Sequence, residues 1–446
     1  MAEPRWVLCD WETKPEIKTM VLSFLDNNPS QHFTRQEPIA GTLEADDLVV
    51  HQFQESYTNH VIRVRLKRNP SIGFVIKMAP ACIPLPGVHV PLPVERGERE
   101  CLAYSFFNNI APGCVPKPLF YDKSRRILCT RELTGCRSLT DELLTGGRNS
   151  CMSVSGVRSL GSSLASVHAA THILTLGTDG LAQLRHKFPT LHAMVDMIRL
   201  FHFEKPFDAA DPDRHCASAV MTSLDDVIND AAVQAAKEEA KRSFAEDCEC
   251  LIHGDLHVDS VVVSGGDLKM VDAEFVRVGP CAFDMGLLLA TLLMIQSRQR
   301  HALMHKDASS SVPSTRTNQD TQTAHTADMV PPAAVEFGET ASRDNHAVTD
   351  RTRRETRAAD VLMEEYLTTM TEKLGQDNMF MQALLKKILT FCGVELLAWV
   401  IGPPHMDFMD SSPEAQADCL RIGTVLLKNV DKISSVDDFV NLVQQP

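Results

Sequence analysis

The sequence lacks any surplus of positive charge. Lys and Arg number 44 against 58 Asp and Glu, a net charge of -14 over 446 residues, which argues against a general electrostatic hold on nucleic acid or anionic membrane. It also lacks the marks of a disulfide framework: the 13 cysteines are odd in number and scattered, with no C-x-x-C pair, the pattern of reduced thiols. Cys248 and Cys250 lie near His253 and His257, but both sit in or beside an apolar, strand-like run, which disfavours a metal site there. The opening residues Met1-Ala2-Glu3-Pro4-Arg5-Trp6 show no basic cluster followed by an apolar stretch, so a secretory leader is not supported. The apolar run from Met285 to Ile295 falls short of the roughly 20 residues that span a bilayer. A cytoplasmic protein without nucleic-acid or membrane partners is the expectation.

What is present suits a globular protein: 44% hydrophobic and 23% charged residues. At roughly 150 residues per domain, the length predicts two or three compact units. From Val49 to Cys129 short β-like runs dominate, among them Val61-Ile62-Arg63-Val64, Gly73-Phe74-Val75-Ile76-Lys77 and Arg126-Ile127-Leu128-Cys129-Thr130. One helix interrupts them, starting near Pro93 with Glu95, Glu98 and Glu100 in its first turns. After Gly135 the pattern turns helical, with Leu160, Leu164, Val167 and Ala170 at spacings of three and four. The stretch 306–357 is rich in Ser, Thr, Ala, Asp and Pro without periodicity, and reads as a disordered insertion. Helical periodicity resumes at Ala358–Leu374, Met381–Val400 and Pro413–Val430. The division expected is a small β-rich lobe, 1–134, and a larger, mostly helical lobe, 135–446.

The chemistry concentrates in two pieces. The first is Leu251-Ile252-His253-Gly254-Asp255-Leu256-His257, an apolar strand running into a polar loop; the second is Leu268-Lys269-Met270-Val271 leading into Asp272-Ala273-Glu274-Phe275. Phosphoryl transfer needs one carboxylate to take the proton of the attacking hydroxyl and others to hold Mg²⁺ against nucleotide phosphates. Asp255 suits the first role, Asp272 and Glu274 the second. Strand alternation puts Asp272 and Glu274 on one side, where they converge on one metal, with Ala273 pointing away. The plain alternative is a set of turn acids closing a hairpin. Lys77, ending an apolar strand, is the candidate cation for phosphate, and a buried lysine needs a carboxylate partner, which Glu100 or Glu98 can supply.

The His253-Gly254-Asp255-Leu256-His257 motif resembles the H-G-D-L-H of the aminoglycoside phosphotransferase and choline kinase group, whose fold is like that of the protein kinases. Within that group Asp272-Ala273-Glu274-Phe275, Ser260 and Gly279-Pro280-Cys281-Ala282-Phe283-Asp284-Met285-Gly286 are similar to the methylthioribose kinases. Asn59-His60-Val61-Ile62-Arg63-Val64 resembles the end of their phosphate loop, Glu95-Arg96 with Glu100 their D-R-x-x-x-E helix, and Phe203-Glu204-Lys205-Pro206-Phe207 their F-T-D-P-Y segment. The resemblance implies an α+β, protein-kinase-like bilobal fold and transfer of phosphate from ATP to the C1 hydroxyl of 5-methylthioribose in methionine salvage. It implies Asp255 as catalytic base and acceptor ligand, Asp272 and Glu274 as Mg²⁺ ligands, and His253 and Asp284 as braces of the catalytic loop. For the nucleotide it implies Asn59, Lys77, Glu100 and Asp272-Ala273-Glu274, with Arg131, Glu132 and Leu133 as the adenine hinge. A homodimer is the assembly of similar kinases, and the apolar carboxyl-terminal helices leave room for one.

Two features depart from that pattern. Gln54-Glu55-Ser56-Tyr57-Thr58-Asn59 contains no glycine, so backbone approach to phosphate is harder. In Gly393-Val394-Glu395-Leu396-Leu397-Ala398-Trp399, Ala398 and Trp399 stand where the family has an arginine pair at the substrate. Trp399 then becomes the candidate acceptor contact, with Arg421 or a residue of the 306–357 insertion as the substitute for the arginines. A kinase for another sugar or hydroxylated metabolite, and a non-catalytic nucleotide-binding protein of the same fold, stay open at this point.

Overall fold

The computed structural model describes residues 6–8, 21, 45–53, 56, 58–71, 73–83, 90–145, 152–212, 214, 216–310 and 358–444. Six strands form an antiparallel sheet in the order β1-β2-β3-β4-β6-β5: β1 Trp6–Leu8, β2 Leu48–Phe53, β3 His60–Leu66, β4 Gly73–Met78, β5 Pro118–Asp122 and β6 Ile127–Arg131. Strand alternation sorts the sheet into two faces. Leu48, Val50, Ile62, Val64, Leu66, Phe74, Ile76, Ile127 and Cys129 form one apolar core. Leu128, on the other face, joins Ala103, Tyr104 and Phe107 of the helix Arg96–Ile110 in the second, larger core. Lys77 shares that second face, between Val61 of β3 and Leu128 of β6.

Beyond the sheet the chain is mostly helical. The helices Val154–Thr171, Cys281–Ser310, Asn378–Ile401 and Pro413–Asn429 supply a large share of the larger core. Their starts are specified locally: Ser153 accepts from the Gly156 N–H, and Asp377 from those of Met379 and Phe380. The apolar carboxyl-terminal helices are buried within this chain's own core, which accounts for their composition. Two small strand sets hold the polar loops: β7 (Arg137–Ser138) with β9 (Val261–Ser264) and β10 (Asp267–Met270), and β8 (Cys250–Ile252) paired with β11 (Arg277–Gly279). β9 and β10 are joined by Gly265-Gly266, both at positive φ (61° and 94°), as a tight two-residue hairpin turn requires.

This small antiparallel sheet ahead of a helical region is the mixed architecture expected. The strands at β3, β4 and β6 and the helices after Ala358, Met381 and Pro413 fall where the patterning put them. Two expectations change. Residues 306–310 continue the helix from Cys281, while 311–357, the rest of the supposed insertion, lie outside the described residues. The apolar run taken as short, Met285–Ile295, belongs to a helix in which 24 residues, Cys281–Met304, are long and apolar enough to cross a membrane; 89% of its most apolar window is buried inside the protein, which explains its composition.

Candidate active site

Strand β8 delivers His253-Gly254-Asp255 into a loop braced from below. Gly254 sits at φ 87°, and a side chain there would run into the Phe275 carbonyl, so glycine is required twice over. The fully buried Asp284 accepts from the backbone N–H groups of His253 (2.6 Å) and Gly254 (2.9 Å). His168 Nε2 lies 3.2 Å from the same carboxylate, and the Tyr366 hydroxyl 2.8 Å from His168 Nδ1. Burial would raise the Asp284 carboxyl, but the bond to His168 and the Gly254 N–H hold it below the usual carboxylate range. Burial also pulls His253 below the ordinary histidine value, against the opposing field of Asp284. The neutral ring donates from Nε2 to the Val271 carbonyl at 2.8 Å and accepts from the Asp255 N–H at 3.4 Å through Nδ1. Asp255 is thereby positioned through its backbone, while its side chain keeps 23% of its surface exposed, with His257 Nε2 3.9 Å away.

The second cluster joins the sheet to the helical region. Lys77 Nζ lies 2.8 Å from Glu100 Oε2 and 3.9 Å from Glu274 Oε2, and contacts Asp272 Oδ1 directly. Arg96, wholly buried, holds Glu274 at 3.1 Å and also donates to the backbone carbonyls of Thr58 and Pro80, each at 2.8 Å. Thr58 and Asn59 add bonds to Glu274 at 2.8 and 2.9 Å. Tyr104 donates to Glu100 and accepts from the Asp272 N–H, each at 2.7 Å. Burial works against charge on Lys77, but the carboxylates of Asp272, Glu100 and Glu274 outweigh it and hold the ammonium above the lysine range. Burial likewise pushes Glu100 up to about 7, only partly offset by Lys77. For Asp272, half-exposed at 47% of its side-chain surface, Lys77 overcomes the burial effect and keeps the carboxyl low.

Three carboxylates thus face two cations, and an oxygen from each of Glu100, Asp272 and Glu274 lies within 4.8 Å of the others. Hard oxygen donors around residual negative charge suit Mg²⁺. Asp272 is the exposed member, and among the described residues Glu274 Oε1 accepts only from Thr58, which leaves it lone-pair capacity.

The convergence of Asp272 and Glu274 does not come from strand alternation. Asp272 adopts a left-handed backbone (φ 68°) and Ala273–Phe275 is a single 3-10 turn, so the acids meet because the chain reverses locally; Ala273 is buried. Glu98, the other partner weighed for Lys77, pairs at the surface with Lys123, 3.4 Å away. In the hinge segment the Glu132 side chain is taken by Arg65 (2.5 Å). The backbone N–H groups of Arg131 and Glu132 are bonded to the carbonyls of Lys117 and Gly73, whereas Leu133 is half-buried. Arg421 forks onto Asp418 (2.8 Å), which is also held by Ser297 and Arg300, so it is engaged far along another helix. Of the phosphate-loop segment, Ser56, Thr58 and Asn59 are described; Gln54, Glu55 and Tyr57 lie outside the described residues.

Trp399 is nearly buried (8% exposed) with its ring 5.2 Å from that of His257 and 5.8 Å from that of His202. His202 went unnoticed in the sequence, as did its partner Glu395, bonded at 2.6 Å. A lone glutamate inside the apolar stretch Phe391–Ile401 was the available signal for Glu395; His202 carried none. Tyr104 was findable as the residue one helical turn beyond Glu100.

Residues 152–316 match the family model described as "Phosphotransferase enzyme family". The chain is 24% identical over 414 residues to the methylthioribose kinase of Bacillus pumilus (strain SAFR-032), covering 90% of this chain and 92% of that one. It is 24% identical over 430 residues to the methylthioribose kinase of Cronobacter sakazakii (strain ATCC BAA-894), covering 93% and 98%. The chain is thus similar to methylthioribose kinases along nearly its whole length. It is an enzyme of the class that transfers phosphate to a hydroxyl. Among solved structures, choline kinase from Cryptosporidium parvum Iowa II aligns over 93% of this chain and 95% of its own at 10% identity and a TM-score of 0.44. A glucosamine kinase aligns over 90% of this chain and 79% of its own at 12% identity and a TM-score of 0.36.

Proposed function

We propose that this chain transfers the γ-phosphoryl group of ATP to the C1 hydroxyl of 5-methylthioribose, giving 5-methylthioribose 1-phosphate in methionine salvage. The observation that carries the chemistry is a brace that leaves the Asp255 carboxylate partly exposed while Lys77 stands among Glu100, Asp272 and Glu274. The near-full-length likeness to two methylthioribose kinases supports the substrate.

In this reading Asp255 accepts the proton of the attacking hydroxyl as the oxygen–phosphorus bond forms, and ADP departs with the electron pair of the broken bond. Lys77 turns from Asp272 toward the α and β phosphates, with Glu100 keeping it in place. Asn59 joins Lys77 at the phosphates, and the backbone of Arg131, Glu132 and Leu133 meets the adenine. Asp272 and Glu274 hold Mg²⁺, which when bound neutralises phosphate charge, and Ala273 packs beneath the nucleotide. ATP and a small soluble acceptor fit a cytoplasmic enzyme that works without nucleic acid or membrane; a homodimer is the assembly we infer.

Purified protein with Mg²⁺, ATP and methylthioribose should yield the 1-phosphate. The Asp255→Asn variant should stay folded and lose roughly 10²- to 10⁴-fold in rate. Absence of product from freshly prepared wild-type protein discards this acceptor. The position of Trp399 beside His202 and His257 supports a second reading, in which another hydroxylated metabolite is the acceptor; ADP release across a panel of alcohols separates the two.

A further inference from the structure

On the helical side of Asp255 lies a cluster that the phosphate chemistry does not use. His202 sits in a single π-helical segment, Arg199–Glu204, an uncommon backbone form that recurs at functional sites. Its Nδ1 is 2.6 Å from Glu395 Oε2, and Glu395 is wholly buried. A carboxylate so placed must be neutralised by its partner, so His202 and Glu395 compensate each other. Trp399 follows Glu395 by one turn of the helix Asn378–Ile401. Its ring stands edge-on to His202 at 5.8 Å and tilted against His257 at 5.2 Å, and His257 Nε2 reaches to 3.9 Å from Asp255 Oδ2.

Two atoms in this cluster are buried without a hydrogen-bond partner among the described residues: Glu395 Oε1, an acceptor, and Trp399 Nε1, a donor. Buried polar atoms are seldom left unpaired, and those that are call for a ligand or a water. Residues four apart on a helix lie on the same face. A hydroxyl group, which accepts and donates at once, can satisfy both atoms together, as a water can.

We propose that Trp399, with the Glu395–His202 pair behind it, is the specificity-determining wall of the acceptor site, and that it selects a neutral polyhydroxylated molecule over a cationic amino alcohol. One acceptor hydroxyl takes the Trp399 N–H and gives its proton to Glu395, while the rings of Trp399 and His257 cover an apolar face of the molecule. An ammonium gains nothing from Glu395, because His202 already neutralises it. The inference rests on the kinase reading of Asp255 but not on methylthioribose as the acceptor.

The chain has three tryptophans, Trp6, Trp11 and Trp399, so the Trp6→Phe/Trp11→Phe variant reports on Trp399 alone. With Mg²⁺ and a non-hydrolysable ATP analogue, its emission should change saturably on addition of methylthioribose or D-ribose and stay flat with choline. In the otherwise unaltered enzyme, Trp399→Phe keeps the ring and removes the N–H. It should raise KM for a neutral acceptor about fivefold to tenfold, with kcat and the KM for ATP moving by less than about twofold. Turnover of a different neutral sugar, with the same Trp399 dependence, discards methylthioribose and upholds the wall. A saturable Trp399 signal with a sugar but no turnover of any acceptor discards the kinase reading, and with it the acceptor-site proposal, leaving Trp399 only as part of a sugar-binding surface. Unchanged acceptor KM in folded Trp399→Phe overturns the proposal, as that is the result expected if only water fills the gap. Turnover of choline in preference to sugars, or no Trp399 signal with any neutral sugar, overturns it as well.

Discussion

The phosphate end and the acceptor end of the site solve the same electrostatic problem in opposite ways. At the phosphate end Glu100, Asp272 and Glu274 outnumber Lys77 and Arg96, and Asp272 keeps nearly half of its side chain exposed at 47%. At the acceptor end Glu395 is matched by His202 and both are buried. An open cluster with charge left over is suited to take up a further cation with its phosphates. A closed and neutral one can only add hydrogen bonds and ring surface. The difference separates charge handling from shape selection along one cleft.

That contrast can be broken most severely at Arg96. Arg96→Met removes a fully buried cation and leaves Glu274 without it, so unfolding stability in urea should drop by about 3–5 kcal/mol. A loss no larger than that of a surface substitution would show that Lys77, Thr58 and Asn59 compensate and that the cluster is less tightly balanced than its geometry implies.

The acceptor end answers to pH instead. Burial opposes charge on His202, but Glu395, and to a lesser degree Asp255, raise it above the ordinary histidine value. A raised folded-state value means that the His202 contribution is complete below the unfolded value of about 6.5 and fades as pH rises through the higher folded one. The stability gap between wild type and His202→Gln should therefore be widest in mildly acidic buffer and narrow toward alkaline pH. Thermal unfolding across that range measures it, and a gap that widens with pH reverses the assignment. The smallest effect belongs to Glu98, whose pair with Lys123 lies at the surface. Glu98→Gln should change stability by less than about 0.5 kcal/mol and leave turnover intact, sharpening the distinction from Glu100 two residues on.

Much of the phosphate end was legible because its signals are local or obligatory. Alternation placed Lys77 on a strand, and burial of an amine demanded a carboxylate on the following helix, which Glu100 provides at 2.8 Å. Asp272 and Glu274 were legible as a pair but for a backbone reason that fails, since the left-handed residue and the 3-10 turn leave no trace in hydrophobic spacing. The partner of the Glu132 side chain was not legible, because Arg65, which takes it, is 67 positions earlier.

By itself the sequence determined which residues carry charge, and where many of the strands and helices lie, because periodicity and capping act over a few residues. It determined that Asp255, Asp272 and Lys77 sit at the ends of ordered segments. Only the tertiary structure decided what surrounds Trp399: the His202–Glu395 bond joins residues 193 positions apart, and such contacts are set by how helices pack rather than by any local pattern. The same packing left Glu395 and Trp399 each with an atom unpaired among the described residues, beside the loop that carries His257, because close-packed helices fix side chains before every polar group has found a partner.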